Sequence, residues 1–251
     1  SDLFVHDRQT GQTQRVNVRS DGGEAFGTTF DPGISADGRY VTFASDAFNL
    51  VLDDSNGEAD VFVRDRQTNQ TQRVSVSSGG GQANFGSGQP SLSADGRYVA
   101  FASLANDLVP GDTNGMMDVF VHDQWTGQTQ RISQSMSAGP ANGPSTEPML
   151  SADGRHVAYA SDASNLVPND TNGETDVFVH DRQSGQTERA SVVTGGWEAG
   201  EPSWEPYISA DGRHVAFSTA GILVADDTND SIDVYVRDRG PQDVLFSDGF
   251  E

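Results

Sequence analysis

The chain has 251 residues, no cysteine and no lysine, and its 37 acidic residues outnumber 15 arginines to give a net charge of −22. That charge repels phosphate backbones and excludes nucleic acid as a partner; the missing thiols exclude disulfides and thiolate metal centres. No stretch is apolar and long enough to span a bilayer or to read as a signal peptide.

From the N-terminus, residues 3–6 and 13–18 occupy the places of the last two strands of the repeat described below and predict a two-strand hairpin. Ser-Ala-Asp-Gly-Arg then follows at Ser35 and recurs at Ser93, Ser151 and Ser209, always at intervals of 58 residues. A second motif, Asp-hydrophobic-aromatic-Val-Arg/His-Asp, recurs at Asp2, Asp60, Asp118, Asp176 and Asp233, at intervals of 58, 58, 58 and 57 residues. Within the second unit, residues 89–93 read as strand A, and Asp95-Gly96 favours a tight turn with positive φ. Strand B is residues 98–102, with Val99 and Phe101 on one face and Ala100 and Ala102 on the other. A polar loop separates it from strand C, 118–122, and the turn 125–128 leads into strand D, 129–133. Sustained helical periodicity is absent.

Four antiparallel strands cannot bury both faces of their sheet alone, so the units must stack. A period this long with four strands is that of a propeller blade. The expected fold is therefore an all-β propeller of four-stranded blades in one domain, residues 1–251. It comprises the hairpin 1–19 and repeat units at 30–78, 88–136, 146–193 and 204–247. The last unit supplies A, B and C but only an irregular candidate for D at 244–246.

The loop between strands B and C concentrates the repeated acids. It carries Asp54, Asn56 and Asp60; Asp112, Asn114 and Asp118; Asp170, Asn172 and Asp176; and Asp227, Asn229 and Asp233. Alternating oxygen side chains followed by a glycine are how a short segment wraps a hard cation. This segment resembles the later part of the Asp-x-Asp-x-Asp-Gly-x-x-Asp calcium loop of integrin-type propellers. Its first ligand position falls on Leu52, Pro110, Pro168 and Ala225, so a substitute oxygen is expected from Asn49, Asp107 and Asn165, or from Asp46 and Asp162. The fourth loop departs furthest, with Asp230 in place of the glycine. The competing reading is plain turn chemistry, in which Asn and Asp satisfy their own backbone. It leaves unexplained why each strand C opens on Asp, a residue depleted in strands.

Histidines at 6, 122 and 180 share a register position with Arg64 and Arg237, so they are expected to serve the blade rather than catalysis. Catalytic groups should instead break the repeat. The departures are Trp125, Met116-Met117 and the segment 197–205, where Trp197, Glu198, Glu201, Trp204 and Glu205 could form a sugar-binding or sugar-cleaving cleft.

Ser-Ala-Asp-Gly-Arg followed by Val-Ala-Phe-Ala resembles the repeat of TolB-type (WD40-like) propellers over residues 34–44, 92–102, 150–160 and 208–218. The turns beginning at Asp7, Asp65, Asp123 and Asp181 extend the likeness. The resemblance implies a propeller of a kind found in periplasmic binding proteins, peptidase-associated propellers and secreted bacterial proteins. The expectation is thus an extracellular or periplasmic, calcium-stabilised scaffold without catalytic activity. The alternatives are a carbohydrate-binding or carbohydrate-active propeller and a TolB-like periplasmic protein-interaction module, so a protein or glycan partner is open. Because residues 1–5 fall inside a repeat element, loss of a leader or longer N-terminus is expected. An unpaired strand templates another chain, so self-association is expected through the N-terminal hairpin, completing the terminal blade of a second copy and building a filament.

Overall fold

Alternation with a period of two, punctuated by Asp-Gly and Thr-Gly turns, produces strands and turns, with no helix among the described residues, in the computed structural model. It describes residues 1–225, 227–229, 231–240 and, as backbone, 245–247. An antiparallel hairpin comes first, β1 (Phe4–His6) with β2 (Thr13–Arg15). Four four-stranded antiparallel sheets follow, each in simple A-B-C-D order. Blade 1 is β3 (Thr29–Ile34), β4 (Tyr40–Ser45), β5 (Asp60–Asp65) and β6 (Gln70–Arg73). Blade 2 is β7 (Ser87–Leu92), β8 (Tyr98–Ser103), β9 (Asp118–Asp123) and β10 (Gln128–Arg131). Blade 3 is β11 (Ser145–Leu150), β12 (His156–Ser161), β13 (Asp176–Asp181) and β14 (Gln186–Arg189). Blade 4 is β15 (Ser203–Ile208), β16 (His214–Thr219), β17 (Asp233–Asp238) and β18 (Leu245–Ser247). The fourth blade therefore has its own strand D, one residue on from the expected segment, whose Val244 lies outside the described residues.

The chain separates into two compact units, Ser1–Gly115 with Phe120–Gln130, and Met116–Val119 with Arg131–Glu251. In the first, Val61, Val63 and Val74 of blade 1 pack with Val99, Phe101 and Phe120 of blade 2. The hairpin belongs to this unit and is no free arm. Its Leu3, Val5 and Val16 cover Val41, Phe43 and Phe62 of blade 1. In the second, Ala158, Val177 and Val179 of blade 3 pack with Val215, Phe217 and Tyr235 of blade 4.

Two local features set the blade geometry. The pentapeptide turn needs glycine for space as well as φ: at Gly96 (φ +75°) an added Cβ would overlap the Tyr40 ring, and at Gly212 (φ +73°) that of His156. Each strand A also carries a bulge just before its proline, where Asp31, Gln89, Glu147 and Glu205 hold φ at 50°, 53°, 56° and 52°. These positions link neighbouring blades, since Gln89 N donates to Asp31 Oδ2 (3.2 Å) and Glu205 N to Glu147 Oε2 (2.8 Å).

Candidate functional site

The acidic B–C loops are the chemically richest places, and each is built around strand C. Asp60 opens β5, and its Oδ1 accepts from Ser75 Oγ (2.7 Å), which in turn accepts from Val61 N (3.1 Å). Oδ2 accepts from Gln82 Nε2 (2.9 Å) and from Arg73 Nη1 (3.1 Å). Asp54 receives the same two groups, Gln82 Nε2 at 2.9 Å and Arg73 Nη1 at 3.6 Å. The side chains of Arg73, Asp54 and Asp60 are 9%, 3% and 0% exposed. Asn56 turns its Oδ1 to Glu58 N (3.0 Å) and donates from Nδ2 to Ala83 O (3.0 Å).

Blade 3 repeats the arrangement with one exchange. Asp176 accepts from Ser191 Oγ (2.5 Å), Asn172 Nδ2 (3.1 Å) and Arg189 Nη1 (3.3 Å), while Asp170 lies 3.7 Å from Arg189 Nη2. Glu198 takes the place of Gln82: it meets Arg189 Nη1 at 2.8 Å and accepts from Thr171 N at 2.9 Å. Asn172 Oδ1 accepts from Glu174 N (3.1 Å). In blade 2 the buried Arg131 occupies the register place of Arg73 and Arg189, and Asp118 accepts from Ser133 Oγ; Asp112, like Asp118, is buried. The hairpin follows suit, with Arg15 Nη1 3.1 Å from Glu24 and 3.8 Å from Asp2.

A cation does sit among the repeated acids of blades 1 and 3, but it is a guanidinium from the end of strand D. In the donor sets Asp54/Asn56/Asp60 and Asp170/Asn172/Asp176 the arginine lies between the two carboxylates, and the Asn oxygens are turned to their own backbone. Among the described residues no group of three or more His, Asp or Glu side chains gathers to hold a metal. The expected substitute oxygens are also committed elsewhere: Asn49, Asp107 and Asn165 accept from the backbone N of Phe26, Asn84 and Asn142 (2.8, 3.0 and 3.1 Å). Asp46 accepts from Thr28 N and Asp162 from Thr175 Oγ1. The fourth loop differs. Asp227 accepts from the Tyr235 hydroxyl (2.5 Å), Asn229 Nδ2 donates to Asp233 Oδ1 (3.3 Å), and Asp233 Oδ2 is buried without a hydrogen-bond partner among the described residues.

Burial raises the Asp60 and Asp176 carboxyls above the usual range, partly opposed by the serine and arginine partners. The opposite holds where strand C ends. The pentapeptide arginines Arg39, Arg97, Arg155 and Arg213 grip Asp65, Asp123, Asp181 and Asp238 through two bonds each, at 2.6–3.0 Å. Hydrogen bonds from those arginines hold Asp65, Asp181 and Asp238 well below the ordinary carboxylate range.

The register histidines serve the blade. His122 and His180 bond Thr129 and Thr187 at 2.9 Å, as Arg64 bonds Thr71 at 3.1 Å, and burial lowers both imidazoles so that they stay neutral at pH 7. The segment 197–205 is divided between elements. Glu198 is tied into the Arg189 cluster, which holds its carboxyl down at about 2, so it cannot donate a proton near neutral pH. Trp204 and Glu205 lie in strand β15, and Glu205 forms its bulge. Trp125 lies against Arg97, 4.7 Å from guanidinium to ring, beside a cleft of about 270 Å³ lined also by Tyr40, Gln72 and Gln124.

The strand-D arginines were the residues that reading the loops alone missed. Their signal was present, since Arg15, Arg73, Arg131 and Arg189 keep the 58-residue spacing.

No protein-family profile matches the sequence, and no curated protein is significantly similar to it. Solved structures do match. A putative TolB from Agrobacterium tumefaciens aligns over 98% of this chain and 73% of its own, at 16% identity and a TM-score of 0.61. TolB from Acinetobacter baumannii aligns over 98% of this chain at 16% identity and a TM-score of 0.55; the chain spans 48% of its length. The β-propeller domain of the Trilobed protease from Pyrococcus furiosus aligns over 88% of this chain and 57% of its own, at 13% identity and a TM-score of 0.54. Repeated four-stranded antiparallel sheets, the pentapeptide turn and these likenesses together make the fold that of a TolB-like β-propeller.

Proposed function

We propose that the chain is a non-catalytic propeller scaffold, exported to the periplasm or cell exterior, that works by presenting surfaces to other proteins, copies of itself included. The observation that carries this reading is the fate of the repeated charges in blades 1 and 3: Asp60, Asp65, Asp176 and Asp181 are each engaged by an arginine of the same blade. The chemistry that the sequence repeats is thereby used in holding blades together. Glu198, the most suggestive acid of the sugar-cleft alternative, serves the same purpose. On this reading calcium contributes at the fourth loop, where Asp227, Asn229 and Asp233 have no arginine partner among the described residues, rather than in blades 1 and 3.

Purified chain incubated with a panel of polysaccharides, chromogenic glycosides and peptides should give no turnover above buffer. Turnover that disappears in Trp197→Ala or Glu201→Gln would overturn the scaffold reading.

A further inference from the structure

The C–D turn opens on Asp-Arg-Gln at Asp7, Asp65 and Asp181, but on Asp123-Gln124-Trp125 in blade 2. Both exchanges line the cleft of about 270 Å³ beside Trp125, whose walls come entirely from blades 1 and 2 of the first compact unit.

The first exchange removes a charge and makes room. At this place an arginine reaches two partners. Arg66 donates to Gly38 O (2.6 Å) in its own blade and to Gln14 Oε1 (3.0 Å) in the hairpin, and Arg239 reaches Gly212 O and the Glu188 carboxylate of blade 3. Gln124 reproduces both contacts with a shorter, neutral side chain, donating to Gly96 O and accepting from Gln72 Nε2 of blade 1. An amide pair thus stands where the junctions of hairpin with blade 1 and of blade 3 with blade 4 carry a guanidinium.

The second exchange supplies a platform. Trp125 is 66% exposed, yet it is fixed: its N donates to Asp123 Oδ1 (3.0 Å), and its ring lies 4.7 Å from the Arg97 guanidinium. Arg97 is itself gripped by Asp123 at 3.0 and 2.7 Å and stands 4.7 Å from the Tyr98 ring. A ligand that stacks on an indole held in this way orders little that is not already ordered.

The chemistry of the walls selects the ligand. Tyr40 and Val63 add apolar surface, and Thr68, Gln70, Gln72 and Gln124 add hydroxyl and amide groups. Asp65 is the one carboxylate among the described lining residues, and Arg39 holds it through two bonds at 3.0 and 2.7 Å. Amides and hydroxyls donate and accept at once, as sugar hydroxyls require, and the C–H face of a pyranose ring suits the electron-rich face of an indole. An anionic ligand is repelled by the net charge of −22. A cationic one meets an Asp65 already neutralised and an indole already stacked on Arg97. The volume lies at the small end of ligand clefts, roughly 300–1,000 Å³, which suits a short segment of a chain of sugars.

We propose that this cleft binds a neutral oligosaccharide, stacked on Trp125 and hydrogen-bonded by Gln124, Gln72 and Gln70. It binds without cleaving, because glycoside hydrolysis uses a pair of carboxyl groups and the carboxylate in this cleft is committed to Arg39. The site goes beyond the scaffold reading by giving the scaffold a glycan to hold.

The test is isothermal titration calorimetry on the full chain with neutral oligosaccharides of glucose, xylose, mannose and galactose, and with an oligosaccharide of uronic acids and p-nitrophenol as counter-probes. Trp125→Gln and Gln124→Arg each restore the residue that other repeats carry at that place, and unchanged melting curves establish that both fold; Trp197→Gln is the control for an exposed indole elsewhere. At least one neutral oligosaccharide should bind, and Trp125→Gln and Gln124→Arg should each weaken it by about tenfold or more. Trp197→Gln should leave it unchanged. The proposal is overturned if no neutral oligosaccharide binds, if binding survives either cleft substitution or is weakened as much by Trp197→Gln, or if a counter-probe binds as tightly. Absence of binding together with absence of turnover would remove this site and leave the scaffold reading standing.

Discussion

Replacing Arg73 by methionine tests whether a guanidinium does the work of a metal in the first B–C loop. Methionine keeps the apolar stem and removes the charge that lies 3.1 Å from Asp60 and 3.6 Å from Asp54. Two unit charges about 4 Å apart at an effective dielectric near 20 interact by about 4 kcal/mol, and removing one partner of a buried pair costs about 3–5 kcal/mol. The expected loss is in that range, which for a chain of this size lowers the melting temperature by roughly 10 °C. Urea unfolding followed by tryptophan fluorescence, together with calorimetry, would measure it. The pH dependence supplies an internal check. The folded-state pKa of Asp60 is already raised by burial, and loss of Arg73 raises it further, so the protonated carboxyl is the form that the fold prefers. The deficit should thus be fullest at neutral pH and shrink as pH falls through that raised value, and adding Asp60→Asn should restore part of the stability. A variant within about 1 kcal/mol of wild type at pH 7 would refute the reasoning, 1 kcal/mol being the upper end for an exposed pair. So would a chelator that destabilises wild type as much as the substitution does.

Chelation should leave the contribution of blades 1 and 3 unchanged, and any calcium-dependent shift in melting should vanish in Asp233→Asn; a shift that persists in that variant places the ion elsewhere. Asp65, Asp181 and Asp238 have folded pKa values depressed by Arg39, Arg155 and Arg213, so their stabilisation is present above the unfolded value near 3.8 and is lost as pH falls below it. An acid titration in which these contributions disappear above pH 5 would contradict the pairing. Gly96→Ala should cost more than Gly127→Ala: both alanines bear the roughly 1–2 kcal/mol of a left-handed backbone, but only the first meets the Tyr40 ring. Equal costs, measured by denaturant unfolding, would argue against that close approach. Glu198→Gln should lower stability by about 1–3 kcal/mol through loss of a charged hydrogen bond to Arg189, with no effect on any polysaccharide-directed assay.

The sequence by itself determined the blade. Strands B and C were legible to within a residue, because the alternation of Val99 and Phe101 with Ala100 and Ala102, and the positive φ demanded at Gly96, act over only a few positions. Strand A was legible in place, but not its bulge, where Gln89 takes a positive φ and gives its N–H to Asp31 of the adjoining blade. The acids of the loops were legible as a cluster needing a counter-charge. Which cation answers them was decided by tertiary structure: Arg73 and Gln82 lie 13 and 22 residues beyond Asp60 and reach it only once strand D and the inter-blade loop have folded back. Turn and strand preferences are short-range properties that a repeat prints directly into the chain. Ion pairing and burial depend on what arrives from elsewhere, and only the packed structure fixes that.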